Sequence, residues 1–384
     1  MTLLFWSCAG FVAYVYVGFP LLTILRGRWW PRPYRLADIE PDVSLLVAAH
    51  NEAAVIEEKI QNALALDYPP DRLEIVVVSD GSDDGTNEIV ERNAQGRVRL
   101  VALDRVGKPE ALNAAVAASS GEIIVFSDAN SMYRPDAIRA LVRPFADPAV
   151  GGVAGNQVYL PPRGGDSSVV GEQQYWDLDR ALKRAESDAG SVSGATGAIY
   201  AIRRSLFVPL RRDVSNDDLL NSLQVVAQGY RLVFEPEAVA FEEVTETTQV
   251  TFERRVRVMV GGFRCLFVMR RLMNPLRHGF FAIQLLTRKV LLRTMVVPLA
   301  VLTVLTPFLW SHGLFFRLVV VGEIEFYVLA AIGMLLRGRP VAKNRILALP
   351  GYFCLVNAAS AKAVWDIVRG RRHERWEPAR PSER

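Results

Sequence analysis

Cysteine is scarce in this chain of 384 residues: Cys8, Cys265 and Cys354 are the whole complement, far apart and with no CxxC pair. A disulfide framework is thereby excluded, a zinc site is disfavoured, and a reducing, cytoplasmic setting suits the soluble part. The stretch after the first predicted strand, Ala48-Ala49-His50-Asn51-Glu52-Ala53-Ala54, contains no glycine. A GxGxxG turn is therefore missing, which removes a nicotinamide-dependent dehydrogenase. The same turn lacks a basic, glycine-rich phosphate loop, which removes a sugar-nucleotide pyrophosphorylase. Basic charge is lacking in the middle of the chain, where residues 36–250 hold 19 Lys and Arg against 34 Asp and Glu. Nucleic-acid binding through that region is excluded.

What the middle lacks, the flanks supply: the remainder holds 26 basic and 7 acidic residues, so the net +4 is a cancellation. Hydrophobic residues make up 51% and charged residues 22%, a balance for a protein part soluble and part embedded. Leu3–Leu25 is almost wholly apolar, and Arg26, Arg28, Arg32 and Arg35 follow it. A cleaved signal peptide has the reverse order, so residues 1–28 are predicted to form a transmembrane helix with its C-terminal end in the cytoplasm. Residues 291–368 hold two to three further segments. Thr294–Trp310 and Leu314–Leu336 form a hairpin about Ser311-His312-Gly313, with basic residues at both open ends. Arg317, Glu323 and Glu325 lie within it, as membrane-partnered or functional groups. Ile346–Val368 is interrupted by Pro350, Asn357, Lys362 and Asp366, and its spanning is left open. A basic tail, 369–384, closes the chain. Residues 251–290 are predicted to form amphipathic interfacial helices. Phe252–Arg293 carries ten Lys and Arg against the single acid Glu253, with Val256, Val260, Phe263 and Phe267 at helical spacing.

Residues 36–250 read as an α/β domain. Val43–Ala48, Glu74–Ser79, Val98–Leu103 and Glu122–Ser127 are predicted strands, alternating with helices at Asn51–Leu66, Thr86–Asn93 and Lys108–Ala118. That alternation predicts a Rossmann-like, mostly parallel sheet, with ligands at the carboxyl ends of its strands. Beyond it, Glu172–Glu186 and Asp217–Gln228 read as helices, and Ser191–Gly197 as a glycine-rich loop.

The acidic residues fall where such a sheet keeps its ligands. Glu52 follows the first strand, Asp80 ends the second (VVVSDGSDDGT), Asp128 ends the fourth (IIVFSDANS), and Asp217 and Asp218 open a helix (SNDDLLNSLQVVAQGYR). In this order they resemble the family 2 glycosyltransferases, which have the GT-A fold. The similarity runs over roughly residues 40–260. It is strongest to the membrane-embedded branch that includes cellulose, hyaluronan and poly-N-acetylglucosamine synthases.

The resemblance implies an inverting transfer of sugar from a nucleotide sugar to a membrane-associated saccharide or lipid-linked acceptor. Glu52, Asp80 and Lys108 (in VGKPEALN) would meet the nucleotide. Asp128 and Asn130 match the metal-binding Asp-x-Asp, for Mg2+ or Mn2+ beneath the diphosphate, with Asn in place of the second Asp. Asp218 would be the general base and Asp217 its supporting acid. The register comes from Gly229, eleven residues beyond Asp218. The family's Gln-x-x-Arg-Trp falls on Arg254–Val258, keeping Arg257 but replacing Gln by Arg254 and Trp by Val258. Arg254 and Arg257 would hold the diphosphate or an anionic lipid, and Arg254 is equally open to lipid-headgroup binding. Trp176 would offer a sugar-stacking face or belong to the core. The lost tryptophan leans towards single transfer; the general resemblance leans towards a processive synthase that translocates its product. Assembly as an oligomer or with partner subunits stays open. The non-enzyme alternative is a transporter or channel subunit in the cell membrane.

Overall fold

A computed structural model describes residues 1–94, 96–160, 168–243, 248–337 and 339–371. The predicted tail therefore lies outside the described residues beyond Arg371, as do short pieces of the 36–250 region.

Eight strands form one sheet: β1 (Val43–Ala49), β2 (Leu73–Asp80), β3 (Val98–Leu103), β4 (Ile123–Asp128), β5 (Met132–Tyr133), β6 (Val150–Leu160), β7 (Tyr200–Arg203) and β8 (Arg231–Glu243). Their order is β3-β2-β1-β4-β7-β6-β8-β5. β3, β2, β1 and β4 are parallel, as is β6 with β8, while β7 and β5 pair antiparallel with their neighbours. The fold is the mixed α/β GT-A sheet, with apolar helices at both ends of the chain.

Every residue of β1 is buried. Successive side chains on a strand point to opposite faces, so such a strand needs cover on both. Val43, Leu45 and Val47 pack in one core with α2 (Ile56–Leu64) and α5 (Ala137–Val142). Leu46 and Ala48 pack in the other with α4 (Lys108–Ala118) and α7 (Asp217–Ala227). α3 (Thr86–Asn93) and α6 (Ser168–Ala189) complete the α/β region. The second core also takes Cys265 and Leu266 from α8 (Thr248–Val268) and Leu285 from α9 (Pro275–Leu285). The hydrophobic core thus runs unbroken past residue 250 into the basic helices.

Several predicted elements differ. The helix expected from Asn51 begins at Ile56. Asn51 has φ 53°, and its neighbours' N–H groups donate to the loop after β2 instead of along a helix. Asn51 donates to Ser82 Oγ at 3.1 Å, Glu52 to Thr86 Oγ1 at 2.9 Å and Ala53 to Asp84 Oδ2 at 2.9 Å. β6 carries Gly151, Gly152 and Gly155, which weaken its strand signal. Packing requires them: a Cβ at Gly155 would lie 2.8 Å from Ile199 Cγ2. The basic amphipathic region expected over 251–290 divides at Arg270–Asn274, where the Asn274 side chain caps α9 by accepting from Leu276 N–H at 3.0 Å.

α1 (Thr2–Trp29), α11 (Leu314–Leu335) and α12 (Arg345–Val368) are long and apolar enough to cross a membrane. The segment expected over Thr294–Trp310 is instead a bent pair. Pro275–Thr294 and Val296–His312, the latter containing α10 (Val296–Leu305), meet at 48° and could form one further span. One end of α1 enters an apolar cluster of Phe5, Leu309 and Phe316. Beyond its other end, Arg32 N–H donates to the Asp188 carbonyl of α6 at 2.8 Å. The segment interrupted in sequence by Pro350 is one continuous helix, α12. Ala359 and Ala363 of α12 pack on Val256 and Val260 of α8.

Candidate active site

Parallel register brings the polar residues after β1, β2 and β4 to one edge. Asp80 is fully buried there. Its Oδ1 accepts from Val106 N–H at 2.7 Å and Gly107 N–H at 2.9 Å, and the Arg105 guanidinium lies 3.6 Å from Oδ2. Oδ2 itself has no hydrogen-bond partner among the described residues. A buried acceptor left open in this way suits a ligand donor. Glu52 is half-buried on the adjoining turn, with its N–H held by Thr86.

Lys108 joins the other acids. Its ammonium lies 2.9 Å from Asp128 Oδ1 and 3.4 Å from Asp217 Oδ1. Burial works against the charge on Lys108, but Asp128 and Asp217 overcome it and raise its pKa. Asp217 is buried at the start of α7. Burial raises its carboxyl pKa and Lys108 pulls the other way. Asp218, the next residue, faces the cavity. Burial first, and then the charge of Asp217, push its carboxyl up to about 6, against Lys108. The arrangement separates two neighbouring acids by environment: one tied to an ammonium, the other open and poised near neutral pH.

A cavity of about 870 Å3 starts at Asp128 and Asp218 and extends to Tyr16 of α1, Phe326 of α11 and Phe353 of α12. Gly194–Gly197, within the glycine-rich loop Ser191–Gly197, forms part of its wall. A Cβ at Gly197 would lie 2.9 Å from Asp128 Oδ2, so that loop approaches the carboxylate closely. Trp176 lines the cavity and packs on Tyr159, with ring centroids 5.2 Å apart. Arg254 also lines it, with its guanidinium 5.8 Å from the Tyr159 ring centre. Arg257 and Asn130 are half-buried but are not among the lining residues; Arg255, one residue from the first of the predicted arginines, is.

Other groups at the site had no motif to mark them. Glu242, near the end of β8, is buried and lines the cavity; it accepts from Gln157 Nε2 at 2.6 Å and from Ser131 Oγ. Burial, then the charge of Asp128, raise its pKa. Lys59 is fully buried behind it, donating to the Ser131 carbonyl and 4.0 Å from the Tyr133 ring centre; burial lowers its pKa to about 7. Elsewhere along the cavity, Arg288 bonds Asp179 at 2.6 Å and Glu186 at 3.1 Å, and Lys183 bonds Asp179 at 3.0 Å. The only sequence signal for Glu242 was an acidic pair ending a stretch not read as a strand.

For a divalent metal, Asp128 offers Oδ2 while Oδ1 is held by Lys108. Among the described residues no group of three or more His, Cys, Asp or Glu converges at metal-ligand spacing. That donor set fits Mg2+ or Mn2+, which take one or two carboxylates and complete their shell with substrate phosphates and water.

Residues 44–209 match the family model described as Glycosyl transferase family 2. Among curated relatives, the poly-beta-1,6-N-acetyl-D-glucosamine synthase of Staphylococcus aureus (strain COL) is 30% identical over 233 residues, covering 58% of this chain and 55% of the relative. The synthase of the same description from Staphylococcus epidermidis (strain ATCC 35984) is 28% identical over 234 residues, with the same coverage. The chain thus spans about half the length of the curated relatives it matches. Among solved structures, a mannosyltransferase of Pyrobaculum calidifontis in complex with GDP-Man and Mn2+ has a TM-score of 0.70 at 26% identity, covering 94% of this chain and 99% of that one.

Proposed function

We propose that this chain, whose residues 44–209 match the model of glycosyl transferase family 2, moves a sugar from a nucleotide sugar, with inversion, to a membrane-associated acceptor in the assembly of a cell-envelope glycan. The observation that carries this reading is the cavity that joins Asp128 and Asp218 to α1, α11 and α12. In this reading residues 36–250 are the cytoplasmic catalytic unit, 251–290 its interfacial collar, and 1–28 and 291–368 its anchor in the cell membrane.

Asp80 and Glu52 take the nucleoside, Asp80 through its open Oδ2. Asp128, with Asn130, would hold the metal, which when bound would supply positive charge to offset that of the departing diphosphate. Lys108 pairs with Asp128 and offsets the acidic field around the donor. Asp218 accepts the proton of the acceptor hydroxyl as that oxygen bonds to the anomeric carbon. The bond from that carbon to the diphosphate breaks, and its electron pair leaves on the nucleoside diphosphate. A single displacement of this kind inverts configuration. Asp217 keeps the pKa of Asp218 high enough for it to act as a base near neutral pH. Tyr159 and Trp176 offer stacking faces to a sugar, and Arg254 adds charge beside them.

The test uses the purified chain with Mn2+ and a panel of UDP- and GDP-sugars, measuring nucleoside diphosphate release and sizing the products. Release with one or a few of these donors is expected. Absence of release with every donor would sink the reading. The curated relatives favour chain extension and the replaced Gln-x-x-Arg-Trp favours single transfer; the product sizes decide between them.

A further inference from the structure

Two cations that line the cavity pair with no carboxylate among the described residues. Lys289 and Arg345 both line it, and neither has an ion-pair or hydrogen-bond partner there, whereas nearby Arg288 is held by Asp179 and Glu186. Lys289 lies against the loop that carries Gly194: a Cβ at that glycine would be 3.5 Å from its Nζ. The charges that act most on Lys289 are Arg288, Arg293, Asp179 and Glu186, not the donor-side acids Asp128 and Asp217. Asp218 stands between the two fields. It feels Lys108 and Asp128 on one side, and it acts on Cys265 together with Arg293 and Lys289 on the other. An ammonium crowded by two arginines, with Asp179 and Glu186 bonded to Arg288 rather than to it, gains from an anion that joins it directly. The same cavity also has apolar lining, with Leu292, Phe326, Leu349 and Phe353.

We propose that Lys289, with Arg345 of the same cavity lining, binds the phosphate of a lipid-linked acceptor whose apolar chain lies along α11 and α12. This rests on the glycosyltransferase reading and names the acceptor class within it. The phosphate is an anchor, not the nucleophile. It holds the lipid while a hydroxyl of the group it carries reaches Asp218. The donor diphosphate stays on the Asp128 side.

The experiment uses the full chain in phosphatidylcholine nanodiscs with three probes: farnesyl phosphate, farnesol and inorganic phosphate. Acetylation of Lys289, followed by mass spectrometry, reports occupancy, and binding is titrated in parallel. Farnesyl phosphate is expected to protect Lys289 and to bind about tenfold or more tighter than either fragment, since charge and apolar contact act together. Lys289→Gln is expected to lose about tenfold of that affinity while Lys289→Arg recovers most of it, which a folding defect would not allow. Arg277→Gln, on an exposed position outside the cavity, is expected to behave as the parent. Equal binding of farnesol and farnesyl phosphate overturns the proposal, as does protection by inorganic phosphate alone at the same concentration. Protection of Lys289 by a nucleoside diphosphate also overturns it and assigns the cation to the donor. If farnesyl phosphate fails to bind while nucleoside diphosphate is still released from a nucleotide sugar, this inference falls and the glycosyltransferase reading stands.

Discussion

Replacing Asp217 by Asn removes one of the three influences that hold the Asp218 carboxyl up at about 6; burial, the largest, and the charge of Asp128 remain. The Asp218 pKa should then fall, though not to its ordinary 3.8, because the site stays buried. A general base works only when ionised, so the acid limb of kcat/KM should lie near 6 in the parent and move to lower pH in Asp217→Asn. If the limb moves to roughly 5, the variant at pH 5 keeps about half its maximal kcat/KM, while the parent keeps about a tenth. The assay is nucleoside diphosphate release under kcat/KM conditions between pH 4.5 and 8 at fixed metal and ionic strength, with the preferred donor and acceptor. The direction of the shift is the sensitive point. Loss of an ion pair with Lys108 alone predicts a lower plateau and an unmoved limb. An unmoved limb, or a limb that survives in Asp218→Asn, would show that the titrating base lies elsewhere. Asp218→Asn should itself lower kcat about 10²- to 10⁴-fold, the usual contribution of a positioned base. It should also raise Tm above pH 6, because the parent must ionise a buried carboxyl whose pKa folding has raised. Each pH unit of that displacement corresponds to ~1.36 kcal/mol, so the gain is bounded at about 3 kcal/mol.

Gly197→Val puts a side chain against Asp128 Oδ2, 2.9 Å from the new Cβ, and should weaken Mn2+ binding measured by titration while leaving the circular dichroism spectrum unchanged. Lys59 has a folded-state pKa lowered to about 7 from an ordinary 10.5. Folding therefore opposes its protonation, and stability should rise between those two values as pH increases. Urea titrations at pH 7 and pH 10 should show that rise in the parent and a flatter profile in Lys59→Met; an equal rise in both would refute the assignment. Chelation with EDTA should abolish transfer, and Mn2+ should restore it; full activity in excess chelator would exclude the metal role of Asp128.

Much of this was legible in the one-dimensional pattern. Apolar runs such as Val43–Ala48 mark doubly covered strands because the chain must bury both faces. Asp80, Asp128 and Asp217-Asp218 stand out because a parallel sheet ends its strands at one edge. The Asn51 turn was not legible, since its hydrogen bonds go to residues 82–86, about thirty positions away. β6 was hidden by glycines whose purpose is contact with Ile199 and Leu232, which lie distant in sequence.

By itself, then, the order of residues determined the strand–helix alternation, the apolar helices and the chemical types at the strand ends, because these follow from local periodicity and from which groups water must leave. Tertiary structure decided how the acids divide their work. Asp217 and Asp218 are identical and adjacent, yet one pairs with Lys108 and the other faces a cavity, a distinction set by distance through space. It also decided that Glu242, Lys289 and Arg345, which no motif distinguishes, share that cavity with Asp128. Electrostatic interaction and burial depend on three-dimensional separation, and only the packed core and the docked helices supply it.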